Sequence, residues 1–474
     1  MKTKTDAAPL FSLGGVFVAF CVAVLLCWPN FVTGGIFTFS DTSSYIRGGE
    51  RIWGVLTDAL MPAEKTVVSG GQTPQAAPSS LSVDAKGGST VGRSFVYSLF
   101  SYVLLKLSGP TGIALAQGTI IVVTFLALVD RAALQSRRIM LAGAGVVVVL
   151  TTLPWHAVYL MPDVFGSVII IFGAILVSTF NDLSTLQKTG LTVLAAAATA
   201  THYGNVPLMA GVGFSGLFWL LLTRRLRLSA VIAVVCAVSF SPVVNVAASS
   251  MFLKTPSAAP MRLPILLARS LADGPANWYL EAECETSHFA MCEAFGDNVP
   301  DSIRDLLWAK DGVQSLSPEL VSRIRAEEFE LLQQVFLRYP VEQTASLSRN
   351  TLKQLVTFGT GLVFSSDGLD ARFRPIKPSD PFGNDLRRAA EPVVIFVAGT
   401  SFLALLALAL TGKLTRSQRR MFVAICYGLF FNAAVFGGLS APVDRYQARI
   451  MWIVPAFLVV VIAHLNTARR DQSA

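Results

Sequence analysis

Residues 94–105 read SFVYSLFSYVLL, an uncharged run bracketed by Arg93 and Lys106. Whether this run crosses a membrane decides the orientation of everything after it. A helix over 93–107 is about 22 Å long at 1.5 Å per residue, against roughly 30 Å of bilayer hydrocarbon. It therefore reads as an interfacial helix lying along the membrane surface.

The composition makes a membrane the right frame. The chain has 474 residues, 53% hydrophobic and only 14% charged, where globular proteins carry about 25% charged residues. Mean hydropathy is +0.57. The apolar residues fall in nearly uncharged blocks of about 15 to 24 residues, the bilayer-spanning signature. That excludes soluble, disordered, collagen-like and disulfide-scaffold classes. The excess of 38 basic over 30 acidic residues belongs to cytoplasmic loops and needs no nucleic-acid partner.

The expected fold is an all-α polytopic membrane protein of about ten transmembrane helices. Spans are placed near 11–33, 111–129, 139–155, 164–180, 189–203, 206–222, 230–251, 391–411, 421–440 and 450–466. Lys2 and Lys4 precede the first span, so the N-terminus is expected in the cytoplasm. No A-x-A site follows that span, and Leu26-Cys27 lacks the small residue of a lipoprotein signal, so it reads as an uncleaved anchor. With 94–105 off the span count, thirteen basic residues face the cytoplasm, as does the C-terminus: Arg131, Arg137 and Arg138; Lys188; Arg224, Arg225 and Arg227; Lys413, Arg416, Arg419 and Arg420; Arg469 and Arg470. Only Arg445 and Arg449 remain in short external loops. Counting 94–105 as a span would reverse the split. The pair 189–203 and 206–222 is short enough to be a re-entrant hairpin, with the same parity.

Three regions follow. Residues 1–251 form an N-terminal transmembrane region, with a first external loop at 34–92 whose Gly/Ser/Pro/Ala-rich stretch, 69–90, reads as flexible. Residues 252–390 form a mostly α external domain between spans seven and eight. Residues 391–474 form a C-terminal transmembrane region. Within the domain, Ser317-Pro318-Glu319 opens a helix to Arg338. Its stripe of Leu320, Ile324, Leu331, Val335 and Phe336 could rest on the membrane or on the domain's own core. Cys284 and Cys292, eight apart, leave a disulfide and two free thiols equally open. His288 between them has no flanking ligand pair to complete a metal site.

Charged residues are essentially missing from the span interiors, unlike in proton-coupled carriers and pumps. Nucleotide-binding loops, G-x-S-x-G and H-E-x-x-H are missing as well. Polar residues collect where short loops meet the outer surface: at Asp41-Thr42-Ser43-Ser44-Tyr45, Arg93-Ser94, Trp155-His156 with Pro162-Asp163, His202-Tyr203, and Asp444 to Arg449. On the expected topology all share one side at one depth. An outward carboxylate there can take a proton from an acceptor hydroxyl. Arginines can hold a lipid phosphate as leaving group. A second carboxylate with a histidine could hold a divalent metal for the same purpose.

The order of these elements resembles the GT-C superfamily of polyprenyl-phosphate-dependent glycosyltransferases, over roughly residues 10–250 and 390–466. Its members carry an Asp in the first external loop (Asp41), a juxtamembrane helix opened by a basic residue (Arg93), a Pro-Asp in the second loop (Pro162-Asp163), a basic or polar residue after a short span (His202) and a late Arg-Tyr (Arg445-Tyr446). Many have an acidic pair or a Lys where this chain has Asp41-Thr42 or His202. The resemblance implies a GT-C-like fold, with Asp41 as catalytic base, Asp163 and His202 as metal or donor ligands, and Arg93, Arg445 and Arg449 as phosphate contacts. It implies an inverting glycosyltransferase of a bacterial inner membrane, moving a sugar from a polyprenyl-phosphate donor to an envelope glycan, lipid or protein acceptor in the periplasm. The alternatives are a carrier, flippase or polymerase component for lipid-linked polysaccharide, and a non-catalytic envelope assembly protein.

Overall fold

Uncharged runs too long to leave their backbone polar groups unpaired in lipid must close their hydrogen bonds internally, and here they do so as helices. The computed structural model describes residues 13–60, 93–129, 131–253, 256–259, 263–296 and 298–473. Lys2, Lys4 and the stretch 69–90 lie outside the described residues. Among the described residues seven helices are long and apolar enough to cross a membrane, so this is a mostly helical, multi-pass membrane protein. They are α1 (Leu13–Leu26, continued by Trp28–Thr33), α3 (Phe95–Leu126), α7 (Asn205–Leu222), α8 (Leu228–Leu253), α12 (Phe382–Leu410), α13 (Arg416–Asn432, continued as a π-helical turn Ala433–Gly438) and the pair α14 (Asp444–Met451) and α15 (Ile453–Ser473). The expected spans at 139–155, 164–180 and 189–203 correspond to shorter helices: α4 (Arg137–Leu150), α5 (Gly166–Ser178) and α6 (Thr185–Ala200).

Shortness has a physical reason in α5. It is apolar on every side, and every residue from Gly166 to Val177 is buried, as a helix wrapped by others must be. Helices α3, α6, α7, α13 and α14 surround it. A helix that meets protein all round need not match the bilayer's thickness.

The segment 94–105 is the first part of α3, which breaks at Gly109, where φ is +70° and Pro110 follows. Only glycine takes that conformation without a Cβ clash, and the proline removes a donor from the turn. The residues ahead of the break pack against α2 (Thr42–Leu60), a helix in the loop expected over 34–92. The start of the same loop forms β1 (Ile36–Thr38), paired antiparallel with β2 (Phe364–Ser366) from the end of the external domain. Leu160 N–H also donates to Phe37 O at 2.9 Å. Residues distant in sequence are thus stitched together at one end of the bundle.

The region expected as an external domain has its own core, including Leu267, Leu271, Leu280, Met291, Leu306, Ile324 and Leu331. Helix α10 (Pro318–Arg338) opens on the expected cap, Ser317 Oγ accepting from Leu320 N–H. Ile324, Leu331 and Val335 face the domain core, while Phe336 stays 49% exposed. Cys284 and Cys292 are disulfide-bonded. Helix α9 (Ile265–Asp273) begins where the fully buried Glu328 accepts N–H bonds from Leu266 and Leu267, both at 3.1 Å. Those are two of the four N–H groups that a helix start leaves without partners. Replacing Glu328 by Leu is expected to destabilise the domain by about 2–4 kcal/mol, because two buried donors lose their acceptor. Glu328→Gln keeps one oxygen and should cost less than half as much. Limited proteolysis within 263–338 and unfolding in detergent would check this, and equal losses for Leu and Gln would contradict it.

Candidate functional site

Two layers of charge meet at the end of the bundle where β1 pairs with the domain. The outer layer is Asp41 and Arg93. Asp41 precedes α2, where Ser44 and Tyr45 donate backbone N–H bonds to its carbonyl. Its carboxylate does not cap that helix but turns to Arg93, with Nη2 to Oδ1 at 2.5 Å and both side chains about one-fifth exposed (23% and 18%). Arg93 lies over the Tyr45 ring at 5.7 Å. Ser94 then caps α3 through Tyr97 N–H and anchors it on Ala200 O at the end of α6.

The inner layer is Asp163, Arg445 and Arg449. Pro162–Phe165 is a 3-10 turn leading into the central helix α5, so Asp163 sits at that helix's N-terminal end, where the macrodipole favours a negative charge. It is 1% exposed. On α14, Arg445 and Arg449 are four residues apart and therefore share a face, a helical turn where a loop had been expected. Arg445 Nε lies 3.8 Å and Arg449 Nη1 4.0 Å from Asp163 Oδ1. These separations are too long for hydrogen bonds. Among the described residues Asp163 Oδ1 and Oδ2, Arg445 Nη1, and Arg449 Nε and Nη1 make no hydrogen bond.

The guanidinium planes are held by rings instead. Arg449 lies 3.9 Å from the Phe436 centroid, and Arg445 lies 4.5 Å from Phe39 and 4.9 Å from Tyr446. Cation–π contact of this kind supports a cation whose edge is only partly paired, as Arg445 is through Nη2 to the Tyr446 hydroxyl at 3.2 Å. Phe436 belongs to the π-helical turn closing α13, and Arg449 Nη2 donates to Asn432 Oδ1 at 2.9 Å at the start of that turn. Asn432 in turn donates to Tyr446 O and Gln447 Oε1. The turn before Asp163 is fixed by Tyr97, whose hydroxyl donates to Gln117 Oε1 at 2.8 Å. Gln117 Nε2 donates to Ala157 O and Tyr159 O, both at 3.0 Å.

The layers form one cluster. Phe39, which stacks on Arg445, is two residues before Asp41. Tyr45 packs edge-on to Tyr97, and Tyr97 packs edge-on to Phe165, two residues after Asp163. Tyr45 lies within electrostatic reach of Arg93, Asp41, Asp163 and Arg445 together.

His202 is part of the cluster in another role. It sits in the turn between α6 and α7, accepts the Gly204 N–H on Nδ1 at 3.0 Å and packs on Phe436. Burial pushes its imidazole well below the ordinary range, so the ring is neutral. Asp163 is faced by guanidiniums instead of further carboxylates. Two guanidiniums around Asp163 and a His202 Nδ1 committed to the Gly204 N–H do not suit a metal cation held by this pair, and no group of three His, Cys, Asp or Glu that could hold a metal occurs among the described residues. Cys284 and Cys292, half-buried, pack against the separate core of the 263–338 region, outside this cluster.

The chain matches no family model, no curated protein and no solved structure.

Sequence reasoning missed several members. Asn432, a lone amide in the run FFNAAVF, could have been flagged by its position in an apolar span. Phe436 carries no sequence signal of a cation-stacking role. Phe39, Tyr45 and His156 belong to stretches the sequence singles out, but nothing there signals that the two rings stack on guanidiniums or that His156 is fully buried with both ring nitrogens lacking a hydrogen bond among the described residues.

Two expectations follow. Asp163→Asn should destabilise the bundle by about 3 kcal/mol by leaving two buried guanidiniums without a counter-charge. Arg449→Met introduced with it should recover at least about 1 kcal/mol. Denaturation of the four proteins in one detergent measures the coupling, and strictly additive losses would refute it. Burial lowers the His156 pKa from 6.5 to about 4. The unfolded chain therefore takes up that proton first on acidification. The resulting stability is full above pH 6.5 and lost as pH falls toward about 4. His156→Phe should flatten that part of the stability–pH curve, and an unchanged curve would contradict the assignment.

Proposed function

We propose that the protein is an inverting glycosyltransferase that moves a sugar from a polyprenyl-phosphate donor to an envelope acceptor. Its active site is the Asp41–Arg93 and Asp163–Arg445–Arg449 cluster. One observation supports the reading: two guanidiniums share a helix face, stacked on rings, with Arg445 Nη1 and Arg449 Nε and Nη1 making no hydrogen bond among the described residues. Planar N–H edges suit the oxygens of a phosphate, which they can grip in pairs. With Arg93 matched to Asp41 and one carboxylate between two guanidiniums, the cluster carries an excess of one positive charge, which an anion offsets. The donor's tail stays in lipid, which is why such a site belongs in a membrane bundle.

In the proposed step an acceptor hydroxyl oxygen attacks the anomeric carbon of the sugar. The bond from that carbon to the lipid phosphate oxygen breaks, and its electron pair leaves with the phosphate. Arg445 and Arg449 stabilise the charge that develops there. The hydroxyl proton passes to Asp41, and attack opposite the leaving group inverts the centre. An incoming phosphate also competes for Arg93, which frees the Asp41 carboxylate only when donor is present.

The proposal includes the finer topology: ten crossings, with α4, α5 and α6 as short ones, both termini cytoplasmic, and the external domain in the periplasm of a bacterial inner membrane. Helices of 13 to 16 residues reach only about 20–24 Å, so they cross because neighbouring helices supply the rest of the thickness.

Asp41→Asn should lower glycan transfer by about 10²–10⁴-fold, the usual contribution of a general base, at unchanged expression and unfolding temperature. Arg445→Lys keeps the charge but loses the planar fork, and should weaken donor binding roughly ten-fold, equivalent to about 1.4 kcal/mol. The readout is the glycolipid and glycan profile of a deletion strain complemented with each variant. Full complementation by Asp41→Asn would end the enzymatic reading.

A further inference from the structure

Helix α11 (Pro340–Val356) has its polarity inside out. Ser346, Asn350, Thr351 and Gln354 are buried. Asn350 donates to Asp273, while Gln354 donates to Val443 O and accepts from Val443 N–H, both at 2.9 Å. The opposite face, Val341, Ala345, Ser348, Leu352 and Val356, is exposed. Val341, Leu352 and Val356 are 73%, 61% and 76% exposed. These five positions recur at steps of four, three, four and four, which makes one stripe on one face. A helix on a water-exposed domain shows the reverse pattern. The arrangement fits a helix whose outer surroundings are apolar.

Position supports the same conclusion. Helix α11 lies along the π-helical turn Ala433–Gly438, the end of the apolar helix α13. Gly437 and Gly438 permit the close approach, because a methyl on either would run into Gln354 and Asn350, or Leu347 and Thr351. The stripe therefore continues the apolar outside of the bundle. Arg349 and Lys353, both exposed, border it on one side, where long cationic side chains can reach lipid phosphates while their stems stay in apolar surroundings.

We propose that α11 is embedded in the membrane leaflet at the domain-bearing end. Its Val341–Val356 stripe meets acyl chains, and Arg349 and Lys353 contact anionic lipid phosphates. The water-exposed part of the external domain is then 263–338, and 340–356 belongs to the membrane body. This depends on the chain being a membrane protein and not on the proposed catalysis.

Nitroxide labels placed singly at 352, 356 and, as a water-exposed reference, 310, in a chain with Cys21, Cys27, Cys236 and Cys426 replaced by Ala, test it in vesicles of phosphatidylethanolamine and phosphatidylglycerol. The ratio of collisions with oxygen to collisions with a water-soluble nickel chelate should be at least about three-fold higher at 352 and 356 than at 310, as for an interfacial helix. Equal ratios overturn the proposal. Exclusion of both relaxers, as a contact between protein surfaces would give, overturns it equally. Hydroxyl-radical footprinting of the unaltered protein in the same vesicles avoids any effect of the labels. In the vesicles, oxidation at Leu352 and Val356, corrected for each residue's intrinsic reactivity, should be at least about three-fold lower than at Phe329 of α10, which is 63% exposed in the water-facing part of the domain; equal corrected oxidation would again sink the idea.

Discussion

Charge held away from water is the constraint that organises this molecule. Taking a carboxylate or a guanidinium out of water costs several kcal/mol per ion even after relaxation. Asp163 and Arg449 are almost wholly buried and Arg445 nearly so. An attraction at about 4 Å is worth about 4 kcal/mol at an effective dielectric constant of 20, so Asp163 with two cations near that distance roughly offsets its own desolvation. The second guanidinium is left over, and ring faces support it where a carboxylate would otherwise be needed. Three apparently separate features serve that end. The all-apolar α5 delivers Asp163, the first turns of α14 put two arginines on one face, and the π-helical turn of α13 brings Phe436 beneath Arg449.

The external domain is tied into this arrangement by several threads. Gly359 N–H donates to Asp444 Oδ1 at 3.0 Å, at the start of α14, and Leu362 O accepts the Tyr159 hydroxyl at 3.1 Å. The strand pair β1–β2 links the same stretch to the residues just before Asp41. A shift of the segment 357–366 therefore pulls on both charge layers. The mechanical route from the domain to the charges is short, because it runs through the β1–β2 backbone pairing and through single side chain–backbone bonds of Asp444 and Tyr159.

How far this was legible from sequence depends on the kind of signal. Long uncharged runs announce membrane helices because nothing else tolerates them, and the charges that interrupt them, Asp41, Arg93, Asp163, Arg445 and Arg449, stand out for the same reason. Their pairing was not legible: Asp41 and Arg93 are 52 residues apart, and only the fold brings them together. Helix α2 falls in the stretch expected as the first external loop, where Gly48, Gly49 and several charges dilute the helical signal. Its buried positions Tyr45, Ile46, Gly49 and Ile52 nevertheless repeat at helical spacing. His202 carries the polarity expected at its position, but its Nδ1 is committed to the Gly204 backbone, a local bond that motif order cannot reveal. The inverted face of α11 was hidden because amphipathicity alone does not say which side is wet.

That inversion bears on how a lipid-borne anion would reach the inner arginines on the proposed reading. The inner layer is covered by Phe39, Phe436 and Tyr446, with the partly exposed Asp41–Arg93 pair in front. A phosphate arriving from the leaflet meets Arg93 first and must then displace ring contacts to reach Arg445. Each displaced contact subtracts from the binding energy, so on the proposed reading affinity is limited but selective for an anionic phosphate head on a lipid tail. Neutral lipids gain nothing from Arg93 and leave the aromatic cover in place. The same cover that makes the buried charges tolerable therefore also acts as the filter on what reaches them.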